Sequence, residues 1–141
     1  MNSSPKLSIV VCTYNRDKYI GKTLEHLYHQ SLAKSDLEVV IIDNNSADRT
    51  PQVCQDFIQS HPEAAFRYVV ETNQGHSFSR NRGIQESKAE LISFIDDDAF
   101  VHPSFGVNII QFFQENENVK VIGGKIIPVY EEQEPTWMSP F

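Results

Sequence analysis

The segment LISFIDDDAFVHP, which runs from Leu91 to Pro103, joins a short apolar run to three consecutive carboxylates. Its first five residues predict a strand that passes through a core and delivers Asp96, Asp97 and Asp98 at its carboxyl end. Adjacent like charges repel, and a divalent cation bound through carboxylate oxygens is an effective counter-charge. In an extended backbone Asp96 and Asp98 point to one side and Asp97 to the other, so one pair can share an ion. A solvated acidic turn is the alternative, but the apolar strand directly before the triplet favours a binding site.

The composition predicts one globular domain. Its 141 residues are 40% hydrophobic and 22% charged, and 19 acidic against 12 basic residues give a formal charge of −7. This charge argues against nonspecific binding to nucleic acid or anionic membranes. Because the N-terminal MNSSPK lacks the apolar core of a signal peptide and no apolar run approaches the roughly 18 residues that span a bilayer, we expect a cytoplasmic protein. Cys12 and Cys54 lack metal-like spacing and are expected to be reduced thiols.

Strands and helices alternate along the chain. Mostly apolar runs predict four strands, at Lys6–Cys12, Leu37–Ile42, Phe66–Val70 and Leu91–Ile95. Helical spacing of apolar residues predicts a helix after each of the first three, and Asp17 is the expected cap of the first helix. Nearly all-apolar strands in this alternation predict an α/β fold, with a mostly parallel sheet covered by helices on both faces.

The third helix and the C-terminal part carry more specific expectations. The third helix lies within NQGHSFSRNRGIQESK, and its apolar face is expected to comprise Phe78, Ile84 and Ala89. Beyond Pro103 the spacing predicts a helix over residues 104–116 and a strand over residues 119–127. Residues 129–141 show no periodicity and are expected to form a loop or an extended arm. Because no closing element follows, we expect this chain to be cut from a longer protein.

Polar residues follow three of the four predicted strands. They are Cys12-Thr13-Tyr14-Asn15, Asp43-Asn44-Asn45-Ser46 and Asp96-Asp97-Asp98. In parallel sheets ligands bind at the carboxyl ends of the strands. The sequence therefore predicts one shared site along that edge.

The loop after the first strand lacks the glycines that a dinucleotide-binding turn or a P-loop needs, which argues against NAD and ATP binding by those routes. Tyr14 could stack on a nucleobase while Thr13 and Asn15 form hydrogen bonds, although a turn and a helix start explain these residues equally well. Asp43 can accept a hydrogen bond from a pyrimidine N–H. Residues 43–46 can instead cap the next helix, and we assign Ser46 mainly to that structural role.

Basic and nucleophilic side chains complete the inventory of candidates. Arg80 and Arg82 could neutralise a diphosphate, or they could form ion pairs on a solvated helix face. Cys12 has no basic neighbour that would lower its thiol pKa, and no Ser–His–Asp or Cys–His arrangement is indicated. The histidines show no metal-ligand spacing and are expected at or near the surface: His26, His29, His61, His76 and His102.

Four motifs together resemble a known family. SIVVCTYNR, IIDNNSADRT, NQGHSFSRNRGI and FIDDDAFVHP, in this order and spacing, closely resemble the N-terminal half of the family 2 inverting glycosyltransferases with the GT-A fold. Each motif is weak alone, but four in register from Leu7 to Pro103 are specific, and GGKIIPVY looks like the strand that follows in that family. The resemblance implies transfer of a sugar from a nucleotide-diphosphate donor, with Mg²⁺ or Mn²⁺ bridging the diphosphate.

The resemblance also implies residue roles. Asp96 and Asp98 match the DxD motif as metal ligands, while Asp96 and Asp97 would also face the ribose and sugar. Asp43 would contact the base. Many uridine-nucleotide members carry an aspartate where this chain has Asn44, so a thymidine nucleotide is as open as a uridine one. The other implied donor-binding residues are Cys12, Thr13, Tyr14, Asn15, Asn44 and Arg80.

Inversion requires a carboxylate base, which the resemblance places beyond Phe141 in an acceptor-binding half. Residues 1–128 would be the donor-binding half-domain and residues 129–141 an arm leading onward, so the isolated chain is expected to be inactive. The acceptor would be a saccharide or a lipid-linked molecule, with peripheral membrane association of the full-length protein and no nucleic-acid partner. An exposed sheet edge could join two copies. A noncatalytic nucleotide-binding or interaction module is the alternative function.

Overall fold

A computed structural model describes residues 4–132 of the protein. Strands and helices alternate in the order β1 (Leu7–Thr13), α1 (Ile20–Tyr28), β2 (Leu37–Asp43), α2 (Thr50–Ser60), β3 (Phe66–Val70), α3 (His76–Glu86), β4 (Leu91–Asp96) and α4 (Phe105–Glu115). The four strands predicted before residue 96 are all present, and the helix predicted over residues 104–116 is confirmed as α4. Among the helices of the described part, none has the length and apolar character needed to cross a bilayer.

The four strands form one parallel sheet in the order β3-β2-β1-β4. β1 pairs with β2 on one side and with β4 on the other. In this register Thr13 lies opposite Asp43, and Cys12 lies opposite Asp96. The predicted α/β class with a parallel sheet is therefore confirmed, and all four strands end at the same edge.

Helices cover both faces of β1 and β2, and this explains why these strands are almost entirely apolar. On one face, residues of α1, α2 and α4 pack with the sheet into the larger core. On the other face α3 packs against β1 and β2 over a smaller core that contains Val10, Val40 and Ile42. Burial on both faces removes the alternation of polar and apolar residues that half-exposed strands show.

α3 approaches the sheet through small residues. The sequence predicts Phe78, Ile84 and Ala89 on the buried face. Phe78 and Ile84 are 52% and 49% exposed, so the prediction is wrong for them, and Ala89 is buried but lies after the helix has ended at Glu86. The buried residues of the helix are Ser79 and Gly83. A Cβ atom on Gly83 would lie 2.3 Å from Cγ1 of the fully buried Val10. The helix is therefore too close to β1 to accommodate larger side chains on this face.

Buried polar contacts tie the connection between α3 and β4 to the sheet. Glu38, buried within β2, accepts hydrogen bonds from the Ser8 hydroxyl and the Lys88 amide, and its carboxylate lies 3.6 Å from the Arg67 guanidinium. The Ser8 hydroxyl in turn accepts a bond from the Ala89 amide at 3.0 Å. The charge of Glu38 is thus paired and hydrogen-bonded, as a buried carboxylate requires. These bonds hold the chain where it enters β4.

β4 lies at the edge of the described sheet; Leu91 and Ile95 pack against the larger core and Ile92 against the smaller one, but the strand is not buried as the expectation of a strand through the core requires. Its residues are half-buried or exposed, because no described strand pairs with its outer side. The strand predicted over residues 119–127 is also absent, and Val121 and Ile126 are 85% and 89% exposed there. A strand needs a neighbouring backbone to satisfy its N–H and C=O groups, and none lies beside this segment among residues 4–132.

The expected cap of α1 and the expected C-terminal arm have different outcomes. Asp17 does not cap α1, which starts after Tyr19 without a side-chain cap; the Asp17 amide instead donates to the Asp48 carboxylate. Residues 129–132 contain no helix or strand. The rest of the predicted arm, residues 133–141, lies outside the described residues, so that boundary stays a prediction.

The close approach of α3 predicts a cost for any side chain at position 83. Gly83→Ala should lower the free energy of unfolding by about 1–3 kcal/mol, because its methyl group overlaps a buried valine that cannot move aside. Urea denaturation followed by circular dichroism measures this. The matched control is Gly21→Ala on α1, where the added Cβ meets its nearest neighbour at 3.4 Å. That change should be neutral or stabilising by up to about 1 kcal/mol, since alanine favours helix; equal losses in both variants would contradict the close packing of α3.

Candidate functional site

The candidate site lies at the carboxyl edge of the sheet, where the loops after β1, β2 and β4 meet. Parallel pairing brings the ends of these strands side by side although they are far apart in the sequence. The three polar segments predicted to share an edge are therefore neighbours. Their side chains differ sharply in exposure and in hydrogen bonding.

β4 ends at Asp96, and the chain turns immediately afterwards. The Ala99 amide donates to the Asp96 carbonyl at 3.1 Å, so Asp97 and Asp98 lie in a turn and not in the extended backbone that the sequence predicted. Asp97 nevertheless differs in exposure from Asp96 and Asp98, which the sequence predicted to point to the opposite side. Asp96 and Asp98 are exposed, whereas Asp97 is buried. This segment, Asp96 to Ala99, is called the acidic turn below.

Arg16, in the loop after β1, is the positive charge beside the acidic turn. Its Nε lies 3.5 Å from Oδ1 of Asp97, and its Nη2 lies 3.8 Å from Oδ2 of Asp98. Burial raises the pKa of the Asp97 carboxyl, while the Arg16 charge opposes that rise. Sequence reasoning did not assign Arg16 to the site, although a basic residue within the CTYNR motif was the available signal.

The chain beyond α4 returns to this region. The phenol of Tyr19 donates a hydrogen bond to the Glu131 carboxylate, and this bond raises the pKa of that phenol. Tyr19 also lies under the Arg16 guanidinium, with 5.7 Å between the guanidinium carbon and the ring centroid. The segment around residue 131 therefore passes beside the loop that holds Arg16.

Asp43, at the end of β2, is buried and held by three hydrogen bonds. Its Oδ1 accepts from the Ser46 amide at 3.1 Å and from the Ser46 hydroxyl, and its Oδ2 accepts from the Tyr68 hydroxyl. Burial and the neighbouring Asp43 raise the pKa of the Tyr68 phenol well above its usual value. Ser46 and Tyr68 thus orient Asp43, and neither residue was assigned this role from the sequence. The predicted contact of Asp43 with a base stays a prediction.

Asn15 joins the loop after β1 to the loop after β2. It adopts a left-handed backbone with φ of 53°, a conformation that asparagine tolerates better than most residues. Its amide donates to Ser46 Oγ at 2.9 Å, and its side-chain oxygen accepts from the Ala47 amide at 2.8 Å. These contacts give Asn15 a structural role at the edge.

Asn44 joins the loop after β2 to the start of α3. Its Nδ2 donates to the carbonyls of Glu71 and Asn73 at 2.9 and 2.7 Å, and its Oδ1 accepts from the Gly75 amide at 2.8 Å. Gly75 has φ of 137°, which favours glycine. Because both donors of the buried amide are used by the backbone, the structure gives Asn44 the role of holding this loop; its predicted contact with a nucleotide stays a prediction.

The remaining residues of the first loop are not equally accessible. Tyr14 is 50% exposed, so its ring is open to stacking by a ligand. Thr13 is buried at the end of β1. Burial raises the pKa of the Cys12 thiol to about 11, which keeps it protonated and unreactive at neutral pH. Of these three, Tyr14 is the side chain best placed to meet a ligand.

Arg80 and Arg82 point to different parts of the surface. The Arg80 guanidinium lies 5.2 Å from the centroid of the Phe94 ring. Phe94 and Asp96 share one face of β4, so Arg80 lies on the face that carries Asp96. Arg82 instead pairs with Glu86 at 2.9 Å. Of the two arginines considered for a diphosphate, only Arg80 is at the site.

The donor set of the acidic turn suits a shared metal ion. Asp96 and Asp98 offer exposed, hard carboxylate oxygens of the kind that Mg²⁺ and Mn²⁺ bind. Within residues 4–132 no three His, Cys, Asp or Glu side chains are arranged to hold a metal ion. Mg²⁺ is commonly bound by one or two carboxylates together with substrate phosphates and water. The turn therefore fits an ion that a phosphate ligand also holds, and does not fit a cage made by the protein alone.

A shallow hollow of about 590 Å³ lies between the C-terminal end of α1 and the loop that follows the acidic turn. Its lining includes three of the histidines, His26, His29 and His102, and the ring of Phe100. His26 stacks on Phe100 with ring centroids 5.0 Å apart. These histidines line a surface hollow and do not join the acidic turn.

Solved structures share this fold. The mannosyltransferase PcManGT from Pyrobaculum calidifontis, in complex with GDP-Man and Mn²⁺, matches with a TM-score of 0.74 and 27% identity over 79% of this chain and 33% of that one. S. aureus TarS 1-349, in complex with UDP, matches with a TM-score of 0.73 and 25% identity over 88% of this chain and 38% of that one. The fold is thus of the GT-A type, as predicted.

Comparison of the sequence with known families identifies the family of this chain. A family model described as glycosyl transferase family 2 matches residues 8–140, and the chain belongs to that family. The minor teichoic acid biosynthesis protein GgaA of Bacillus subtilis is 32% identical over 127 residues, which are 87% of this chain and 27% of GgaA. The chain therefore spans well under half the length of these three similar proteins.

The buried Asp97 carboxyl predicts a pH dependence of stability. Because its pKa is raised in the folded protein, the folded state keeps this proton to higher pH than the unfolded chain does. The contribution of Asp97 to stability therefore falls as the pH rises from about 3.8, its usual value, through the raised pKa. Relative to wild type, Asp97→Asn should gain thermal stability as the pH is raised above about 4, as measured by melting temperature in low-salt buffer. Asp56→Asn, at an exposed site on α2, is the control. If the difference in melting temperature between Asp97→Asn and wild type does not change with pH, the raised pKa of Asp97 is contradicted.

Proposed function

We propose that this chain is the donor-binding part of an inverting glycosyltransferase, which holds a nucleotide-diphosphate sugar with Mg²⁺ or Mn²⁺. The main support for this proposal is that the exposed carboxylates of Asp96 and Asp98 lie at the same sheet edge as Tyr14 and Arg80. Family membership supports the reaction class. Each of the four side chains can contact a different part of such a donor.

The nucleoside end of the donor would lie over the loops after β1 and β2. The half-exposed ring of Tyr14 provides a stacking surface for a base. Asp43, held in one orientation by Ser46 and Tyr68, can accept a hydrogen bond from a base only through the lone pairs that those residues leave free. Both uracil and thymine present a suitable N–H, so these contacts do not choose between them.

The diphosphate would lie between the acidic turn and Arg80. Asp96 and Asp98 would hold the metal ion, and Arg80 would bring positive charge to the same face of β4. A bound divalent ion would supply Lewis-acid stabilisation of the charge that develops on the departing nucleoside diphosphate. Arg16 balances the charge of Asp97 and so limits the repulsion within the turn.

The solved relatives support the same donor class. PcManGT was solved with GDP-Man and Mn²⁺, and TarS 1-349 was solved with UDP. Because these nucleotides differ, they support a nucleotide-sugar donor without naming the base. For the acceptor we propose a saccharide or a lipid-linked molecule. We propose that the carboxylate base that inversion requires lies outside this edge; the engagement of Asp43 and Asp97 by protein partners supports this.

The proposal is tested by thermal stability in the presence of UDP, dTDP and GDP, each with and without Mn²⁺. At about ten times its Kd, one of these nucleotides should raise the melting temperature by about 5 °C, and only when Mn²⁺ is present. Asp98→Ala should remove the Mn²⁺ dependence because it deletes a metal ligand, whereas Asp56→Ala on α2 should respond as wild type does. If none of the three nucleotides at millimolar concentration shifts the melting temperature of wild type, the proposed function is wrong.

A further inference from the structure

We propose that Thr23 and Gln30 are positioning residues: Thr23 holds the acidic turn in the geometry that the metal requires, and Gln30 holds the far end of the loop that begins with this turn. The inference rests on the proposed function, because the turn matters only if it binds a metal and a donor. Thr23 lies within α1, and Gln30 lies two residues after that helix ends. Both side chains are buried, and both form hydrogen bonds to the loop that begins with the acidic turn.

Thr23 holds the first end of this loop. Its hydroxyl donates to the backbone carbonyl of Asp97 at 2.8 Å, and the side chain is fully buried. A threonine within a helix commonly bonds back to a carbonyl of its own helix. Here the hydroxyl instead bonds to the central residue of the acidic turn. Removing it would leave the Asp97 carbonyl buried without this donor.

Gln30 holds the second end of the loop. Its Nε2 donates to the His102 carbonyl at 2.9 Å, and its Oε1 accepts from the Gly106 amide at 3.0 Å. The Ser31 amide adds a bond of 2.8 Å to the Pro103 carbonyl. The loop is therefore fixed both at the acidic turn and at the start of α4.

The exposure of the metal-binding carboxylates makes this backbone support necessary. Asp96 and Asp98 are exposed, so packing of their own side chains does little to orient them. Their directions follow from the backbone of the turn, which Thr23 holds at Asp97. The loop just before α1 also carries Arg16, which pairs with Asp97 and Asp98. The region around α1 thus sets both the backbone and the charge balance of the turn.

A matched pair of substitutions tests the role of Thr23. Thr23→Val keeps the shape and removes the hydroxyl, whereas Thr23→Ser keeps the hydroxyl and removes a methyl group. The probe is UDP, dTDP or GDP, whichever stabilises wild type most, and the measurement is the Mn²⁺ concentration that gives half of the nucleotide-dependent thermal shift. Thr23→Val should raise this concentration about three- to tenfold, and Thr23→Ser should stay near wild type. A merely structural role would lower the melting temperature of Thr23→Val without moving the Mn²⁺ midpoint, and that result would overturn the proposal.

Hydrogen–deuterium exchange without ligand provides a second measurement. It distinguishes failure of the positioning role from failure of the proposed function. Thr23→Val should speed exchange of the Ala99 amide, and Gln30→Met should speed exchange of the Gly106 amide, while amides of β1 and β2 stay protected. Unchanged exchange at both positions would overturn the positioning role even if wild type binds nucleotide with Mn²⁺. A different result is that wild type shows no Mn²⁺-dependent nucleotide binding while exchange in the loop changes as described. The proposed function is then wrong, and so is the role of Thr23 in positioning a metal site, although the hydrogen bonds themselves are confirmed.

Discussion

The structure depends on the parallel pairing of β1 with a strand on each side. This pairing buries β1 between two layers of helices, and it aligns strand ends that are about 30 and 80 residues away in the sequence. The register sets Thr13 against Asp43 and Cys12 against Asp96. Because β1 and β2 are mostly apolar, the polar side chains of the candidate site lie at the carboxyl ends of the strands and in the loops that follow. The core and the candidate site are therefore consequences of one set of backbone hydrogen bonds.

The polar residues at this edge divide into those that build the loops and those that face outward. Asn15 bonds the Ala47 amide through its side-chain oxygen, Asn44 bonds neighbouring backbone through both side-chain groups, and Oδ1 of Asp43 accepts two hydrogen bonds from Ser46. Tyr14 and Asp98 remain exposed. Such a division is physically reasonable, since exposed ligand-binding groups keep their geometry only where a hydrogen-bonded scaffold holds the backbone beneath them.

The sequence predicted the elements that depend on local hydrophobic pattern and failed where distant contacts decide. Mostly apolar runs located the four strands β1 to β4, and their alternation with helices predicted the fold class. The buried face of α3 was assigned to Phe78 and Ile84, because hydrophobic spacing cannot reveal that Gly83 approaches β1 closely. Residues 119–127 have strand-like sequence but no described neighbour to pair with. At the site, the three strand ends were predictable, whereas Arg16 and the hydrogen bonds that engage Asp43 and Asn44 depend on loop conformation.

The central claim is that a divalent ion and a nucleoside diphosphate bind together at the carboxyl edge of the sheet. The most direct measurement is an amide NMR spectrum of the ¹⁵N-labelled protein titrated with Mn²⁺ in the presence of UDP, dTDP or GDP, since Mn²⁺ broadens nearby signals. Our account predicts broadening centred on the acidic turn and extending to the loops after β1 and β2, with none at the amino ends of the strands. Broadening centred on the histidine-lined hollow near His26 and His29, or spread evenly over the surface, would contradict it.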